Sequence, residues 1–312
     1  MIIVIGLSVL AAFLFAAAAY LQQRAARAVV AVDPSAAWVP GIGGLVRRLL
    51  RSTTWLRGWL TNLCGFLTQA GALHLGSVAV VQPLMSTQLL FSLPFAAAEQ
   101  RRRPSRRDWL AALAVSGGLA LLLTTQGAAP FAGDPRRDRI ILSVASAAVL
   151  VVILALISTR FAIQTAAHLV AIAAGLCFAM SAVFMKLTMT DLVDRGIGAT
   201  ATDWPGYLLA ASTLTGLLLE QAAFAGGPLP WAIAAMSVTN PVASYIIGML
   251  AFDVKIPTDP GSLAGMVGAL TLIAVGVAGL SHSMLALSFY ASGDHKIDTT
   301  SPAINAPRAP II

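Results

Sequence analysis

The chain has 312 residues, of which 58% are hydrophobic and only 11% are charged, and its mean hydropathy is +0.82. Soluble domains carry about 25% charged residues, so this composition excludes an ordinary soluble domain and indicates a polytopic membrane protein. The formal net charge is +7, but the basic residues lie in loops between apolar runs. This placement argues against nucleic-acid binding and for contact with anionic membrane lipids.

Nine apolar runs are long enough to cross a bilayer, which requires about 20 residues. In chain order they are 2–21, 55–75, 77–97, 109–125, 140–159, 168–187, 204–225, 229–252 and 261–281. We therefore predict an all-α polytopic membrane protein with about nine transmembrane helices. The first run has no charged segment before it, and its positive charges follow it, so a retained helix is favoured over a signal peptide.

Arginines are concentrated in the loops after the first and third runs. They are Arg24, Arg27, Arg47, Arg48, Arg51, Arg57, Arg101, Arg102, Arg103, Arg106 and Arg107. The positive-inside rule makes both loops cytoplasmic, so we expect a plasma-membrane protein with its N-terminus outside and its C-terminus in the cytoplasm. Residues 46–51 form an amphipathic stretch that is expected to lie flat on the inner leaflet.

An amide–proline–serine step occurs twice, once in the third run and once in the eighth. Its members are Gln82, Pro83 and Ser86 in the third run and Asn240, Pro241 and Ser244 in the eighth. Proline frees a backbone carbonyl inside a helix, and the amide adds polar groups that lipid cannot satisfy. Many secondary transporters have such interrupted helices around a central substrate site.

Runs one to four and runs six to nine carry similar features in the same order, which indicates a duplication. An odd number of crossings separates the two copies, so the second copy must be inverted relative to the first. We predict two inverted four-helix repeats at residues 1–125 and 167–281, joined by a connecting helix and loops at 126–166. The polar, proline-containing tail at 282–312 is predicted to be a disordered cytoplasmic segment.

Small and polar residues recur at three- and four-residue steps in three runs and so share helix faces that should turn away from lipid. These faces hold Gly58, Asn62, Gly65, Gln69 and Ala72 in the second run, Ser212, Gly216 and Glu220 beside Thr215 in the seventh, and Ser237, Asn240, Pro241, Ser244 and Gly248 in the eighth. They could serve helix packing, with hydrogen bonds of about 0.6–2 kcal/mol, or line a polar pathway. Packing is favoured for the glycines of the ninth run. The predicted pathway consists of Asn62, Gln69, Gln82, Pro83, Ser86, Asn240, Pro241, Ser244 and Tyr245.

Glu220 is the one carboxylate well inside an apolar run. A charged carboxylate at the bilayer centre costs at least about 2.5–3.5 kcal/mol, so Glu220 either reaches toward the interface or carries a coupling proton.

Cys64 and Cys177 are isolated, which argues against a disulfide framework or a zinc site. Phosphate-binding and Walker motifs are absent from the sequence, so no cofactor and no enzymatic activity are predicted. Whether a metal binds is left open.

Several short segments resemble the NIPA-type magnesium transporters, a branch of the drug/metabolite transporter superfamily. The matching residues are Trp55, Gly58, Gly65, Gln69, Val81, Gln82, Pro83, Leu84, Lys186, Gln221, Asn240, Pro241, Tyr245 and Phe252. The resemblance covers most of residues 1–281 and implies a nine-span transporter. Phe66 stands where that family has an acidic residue, and Gln69 replaces its asparagine. Because Mg²⁺ is usually bound through carboxylates, these departures argue against magnesium as the substrate.

The leading hypothesis is a secondary transporter of the drug/metabolite superfamily that moves a small polar or amphipathic metabolite by alternating access. Its partners would be that substrate and membrane lipids, with no nucleic acid, and a homodimer is left open. A Mg²⁺ transporter of the NIPA type is the first alternative. A non-transporting membrane scaffold is the second.

Overall fold

A computed structural model describes residues 2–33, 41–75, 78–100, 103–125, 137–251 and 260–281. Within these ranges all regular structure is helical, which confirms the predicted all-α class. The helices are α1 (Ile2–Val30), α2 (Ile42–Leu49), α3 (Thr53–Leu75), α4 (Val78–Met85), α5 (Gln88–Gln100), α6 (Arg106–Thr125), α7 (Arg137–Ser158), α8 (Ile163–Thr202), α9 (Trp204–Gly226), α10 (Leu229–Ala251) and α11 (Pro260–Ser281). The predicted tail at 282–312 lies outside the described residues.

Seven helices in the described part of the chain are long and apolar enough to cross a membrane. They are Ile2–Val30, Arg106–Thr125, Asp138–Ser158, Thr165–Thr188, Trp204–Gly226, Leu229–Ala251 and Pro260–Leu280. This composition supports the prediction of a polytopic membrane protein. The other two predicted runs are also helical: the second coincides with α3, and the third is divided into α4, of 8 residues, and α5, of 13 residues.

The helix break between α4 and α5 follows Pro83 by three residues. The hydroxyl groups of Ser86 and Thr87 donate to the carbonyls of Pro83 and Leu84, each at 2.6 Å. Such local bonds offer carbonyls an alternative to the helical pattern. In contrast, α10 continues through Pro241, and Ser244 donates to the side chain of Asn240 at 3.3 Å rather than to the backbone. The two amide–proline–serine steps are thus alike in sequence but differ in backbone conformation.

The most extensive helix contacts pair α1 with α3, α8 with α9, and α6 with α11. Glycines lie at each contact, because a Cβ atom on Gly58, Gly216 or Gly276 would be within 3 Å of the neighbouring helix. Helices in lipid gain no hydrophobic driving force from association, so close approach through small residues takes its place. The glycines of α11 face α6, which confirms the packing interpretation for that helix.

The amphipathic stretch predicted at 46–51 covers the second half of α2, which begins at Ile42 and ends at Leu49, and the turn that follows it. Leu45 and Leu49 are fully buried against Ala25 and Ala26 of α1 and Ala225 of α9. The apolar face of α2 therefore packs on protein, and not simply on the lipid leaflet as the sequence pattern suggested.

Helix α8 extends beyond the predicted end at residue 187 and changes direction at Gly196, where φ is +80°. Residues with a side chain rarely adopt this conformation.

Beside the kink, Arg195 donates to Asp203 at 2.8 Å and to Asp191 at 3.3 Å. Hydrogen bonds to these two carboxylates raise the pKa of the Arg195 guanidinium. They hold the end of α8 beside the start of α9.

Two adjacent glycines of α6 provide a matched test of this packing. A Cβ on Gly118 would lie 2.8 Å from the Ala269 carbonyl oxygen and 3.0 Å from the Ile273 nitrogen of α11, whereas a Cβ on Gly117 would meet nothing within 4 Å. Gly118→Ala should destabilise the protein by about 1–3 kcal/mol through overpacking. Gly117→Ala should be neutral or slightly stabilising, because alanine favours helix. Unfolding in detergent measures both, and equal stabilities would contradict the α6–α11 crossing.

Candidate polar pathway

The break between α4 and α5 is attached to α6 by two hydrogen bonds. The Ser86 hydroxyl shares its one proton between the Pro83 carbonyl, at 2.6 Å, and the Ser116 carbonyl, at 3.1 Å, and the Ser116 hydroxyl donates to the Ser86 carbonyl at 2.9 Å. Because α6 packs closely on α11, this pair fixes the interrupted helix to a rigid part of the bundle. Ser86 therefore has a structural role whatever else it contacts. Pro83 is half-buried, and the side chain of Gln82 lies outside the described part of the chain.

Helix α10 carries the second group of predicted pathway residues and packs against α5, α7 and α8. Asn240 and Pro241 are half-buried, while Ser244 and Tyr245 are each 6% exposed. The Tyr245 hydroxyl is buried and has no hydrogen-bond partner among the described residues. Most buried polar groups are paired, and a hydroxyl left unpaired costs free energy. Tyr245 thus retains hydrogen-bonding capacity that the fold itself does not use.

The α3 residues predicted for the pathway occupy a different interface. Gly58 and Gly65 lie against α1, and Asn62 and Gln69 are half-buried on the same helix face. The prediction that this face of α3 turns away from lipid is therefore confirmed. The helix that the face meets is α1. Neither Asn62 nor Gln69 hydrogen-bonds to any residue within the described ranges. Phe66, at the position that is acidic in the family resembled above, is 60% exposed.

A hydrogen-bonded relay that the sequence did not assign to a site joins α1, α3 and α9. The indole N–H of Trp55 donates to the Gln221 Oε1 at 2.9 Å, and the Gln221 Nε2 donates to the Gln22 Oε1 at 2.8 Å. Beside it, Gln23 Nε2 donates to the Gly227 carbonyl at 2.7 Å. The glutamines were visible as polar residues near the ends of apolar runs, but nothing in the sequence pairs residues 199 positions apart.

A second cluster ties the same end of α1 to α5. The Tyr20 hydroxyl donates to the Glu99 carboxylate at 2.9 Å, and the Tyr20 ring stacks on Phe95 with centroids 5.3 Å apart. Together with the relay, this contact holds the ends of four helices in a single group. In the predicted orientation that end of the bundle is the cytoplasmic one.

The inward face predicted for α9 is only partly confirmed. Ser212 is buried and its hydroxyl lies 2.9 Å from that of Ser181 on α8, and Gly216 lies against Phe178. Thr215, predicted beside them, is exposed. Glu220 is half-buried on the same helix and pairs with no group in the described part of the chain. The described residues of the chain as a whole contain no group of three or more His, Cys, Asp or Glu side chains that could hold a metal ion.

The hydrogen-bonded relay predicts that Gln221 contributes more to the stability of the protein than Gln69 does. Gln221→Leu would leave the Trp55 N–H and the Gln22 carbonyl without their partners, which should cost about 1–3 kcal/mol. Gln69→Leu removes no hydrogen bond to a described residue and should change stability little. Unfolding of both variants in the same detergent measures the difference, and a double-mutant cycle with Gln22→Leu isolates the coupling. Equal losses at residues 69 and 221 would disprove the relay.

The chain is similar to an uncharacterized protein of Corynebacterium glutamicum, with 27% identity over 238 residues. The similarity covers 75% of this chain and 81% of that protein. No family model matches the chain, and no solved structure matches it significantly. The similarity carries no activity with it.

Proposed function

We propose that the protein is a secondary transporter of the drug/metabolite type that moves a small polar or amphipathic metabolite. The observation that carries the proposal is the interrupted α4–α5 segment, which lies in a bundle with α10, where the buried Tyr245 hydroxyl has no hydrogen-bond partner among the described residues. Interrupted helices and polar groups without partners are tolerated at membrane depth where they are buried in protein or line a water-filled cavity. A buried hydroxyl without a partner is costly in a bundle whose only role is to fill the bilayer.

The helix contacts support two repeats at 1–125 and 167–281. Helix α1 packs on α3 and on α4–α5, and α8 packs in the same order on α9 and α10. The last helices of the two proposed repeats, α6 and α11, pack on each other, while the connecting helix α7 packs on α8 and α10. This arrangement suits two inverted halves with α4 and α5 as a single span. The positive-inside rule, independently of these contacts, favours an N-terminus outside and a C-terminus in the cytoplasm.

The polar side chains of the predicted pathway on α4–α5 and α10 are neutral. Gln82 and Asn240 carry amides, and Ser86, Ser244 and Tyr245 carry hydroxyls. Such groups recognise a substrate through hydrogen bonds, whereas Mg²⁺ holds its water tightly and is usually bound through carboxylates. The proposed substrate is therefore a metabolite with hydrogen-bonding groups. The same reasoning leaves Glu220, if it has a role, as a proton carrier rather than as part of a metal site.

Substitution of Tyr245 tests the pathway directly. A thermal-shift panel of metabolites and metal ions first identifies a ligand, and flux of that ligand into reconstituted vesicles is then measured. Tyr245→Phe should leave the unliganded protein stable, because its hydroxyl bonds to no described residue. It should weaken ligand binding about 2- to 12-fold, the effect of one hydrogen bond.

Tyr207→Phe is the matched control for Tyr245→Phe. Tyr207 is 66% exposed, and its hydroxyl donates to the Ala201 carbonyl at 2.8 Å, near the junction of α8 and α9. This variant should bind and transport normally. Unchanged ligand affinity in Tyr245→Phe would remove that residue from the pathway, and a protein without ligand or flux across the panel would favour a scaffold.

Glu220→Gln tests coupling and separates the metabolite hypothesis from magnesium transport. If Glu220 carries a proton, a pH gradient should accelerate metabolite flux in the wild type and lose this effect in the variant. Flux without a gradient should remain. Rescue of a magnesium-starved strain by the wild type, lost in Glu220→Gln, would instead support the Mg²⁺ alternative.

A further inference from the structure

Helix α2 is fixed over the junction between α1 and α9. Leu45 and Leu49 are fully buried in a cluster with Ala25 and Ala26 of α1 and Ala225 of α9, and Trp55 of the relay packs against the same cluster. Ala225 is one residue from the end of α9, and α2 follows the end of α1. Since α1 and α9 both have the composition of membrane-crossing helices, α2 lies near the depth of the lipid headgroups.

The outer face of α2 and the turn after it combine positive charge with an exposed apolar side chain. Arg47 and Arg51 are exposed and form no ion pair with any described residue, whereas Arg48 pairs with Asp33 at 3.1 Å. Leu50, between these arginines, is 56% exposed. Arg24 on α1 and Arg57 on α3 are also exposed at this end of the bundle.

This combination fits a bilayer interface better than it fits a soluble anion. Arginine side chains near a membrane surface bind phosphate groups, and an adjacent leucine reaches the acyl region. A free anion would leave Leu50 in water. We propose that Arg47 on the outer face of α2, together with Leu50 and Arg51 in the turn after it, binds the headgroups of anionic phospholipids, and that lipid bound there holds α1 and α9 together. The proposal does not depend on transport activity.

The expected size of the effect follows from the charge. Each arginine near an anionic surface strengthens binding about fivefold, so two arginines contribute roughly 30-fold. Anything that binds only the folded bundle also raises its melting temperature. The full-length protein in nanodiscs of phosphatidylcholine should therefore melt at higher temperature as the mole fraction of phosphatidylglycerol rises.

Two double variants test where the lipid acts. Arg47→Gln/Arg51→Gln should lose most of the phosphatidylglycerol-dependent increase in melting temperature while matching the wild type in pure phosphatidylcholine. Arg106→Gln/Arg107→Gln removes the same charge from exposed residues at the start of α6 and should keep the increase. The amount of phosphatidylglycerol retained through purification gives an independent measure of binding for each protein.

Several results would overturn the proposal. Equal losses in the two double variants would show a general attraction of positive charge to the membrane. An increase produced by inorganic phosphate in phosphatidylcholine nanodiscs would show that a soluble anion suffices. Leu49→Ala weakens the attachment of α2 but keeps both arginines, so it should retain phosphatidylglycerol yet gain less stability from it. Full stabilisation in that variant would disprove the link between α1 and α9.

Discussion

Polar groups inside hydrocarbon have no water to bond, and this constraint accounts for most of the arrangement. Several hydroxyls on membrane-crossing helices bond within their own helix, as in Ser8, which donates to the Val4 carbonyl at 2.7 Å. Where the backbone itself is interrupted, between α4 and α5, the hydroxyls of Ser86 and Thr87 donate to the Pro83 and Leu84 carbonyls, and Ser116 of α6 donates to the Ser86 carbonyl. Larger side chains that cannot bond locally, such as Gln22 and Gln221, meet across helices.

Close approach of helices is the second condition, because the bonds between helices require it. Glycines at the α1–α3, α8–α9 and α6–α11 contacts bring the backbones together without an apolar driving force. The α6–α11 crossing in turn supports Ser116, which holds the α4–α5 break. Packing and hydrogen bonding therefore depend on each other, and neither explains the bundle alone.

The polar residues divide into those that the fold uses and those that remain available. Ser86, Gln22 and Gln221 are bonded within the protein. The Tyr245 hydroxyl is buried without such a partner among the described residues. A buried hydroxyl without a partner can bond to a substrate directly, whereas the amides of the relay would first have to give up an existing hydrogen bond.

The sequence by itself determined the helical class, the membrane environment and the positions of most helices, because length and apolarity are local properties of a run. It also identified the inward face of α3, since small residues such as Gly58 and Gly65 recur at helical spacing. Only the tertiary structure decided which helix that face meets, that Gln221 lies beside Gln22, and that Pro83 accompanies a break while Pro241 does not. Those outcomes depend on contacts with residues far away in the chain and on which carbonyl each nearby hydroxyl bonds. The periodicity of the sequence contains no information about either.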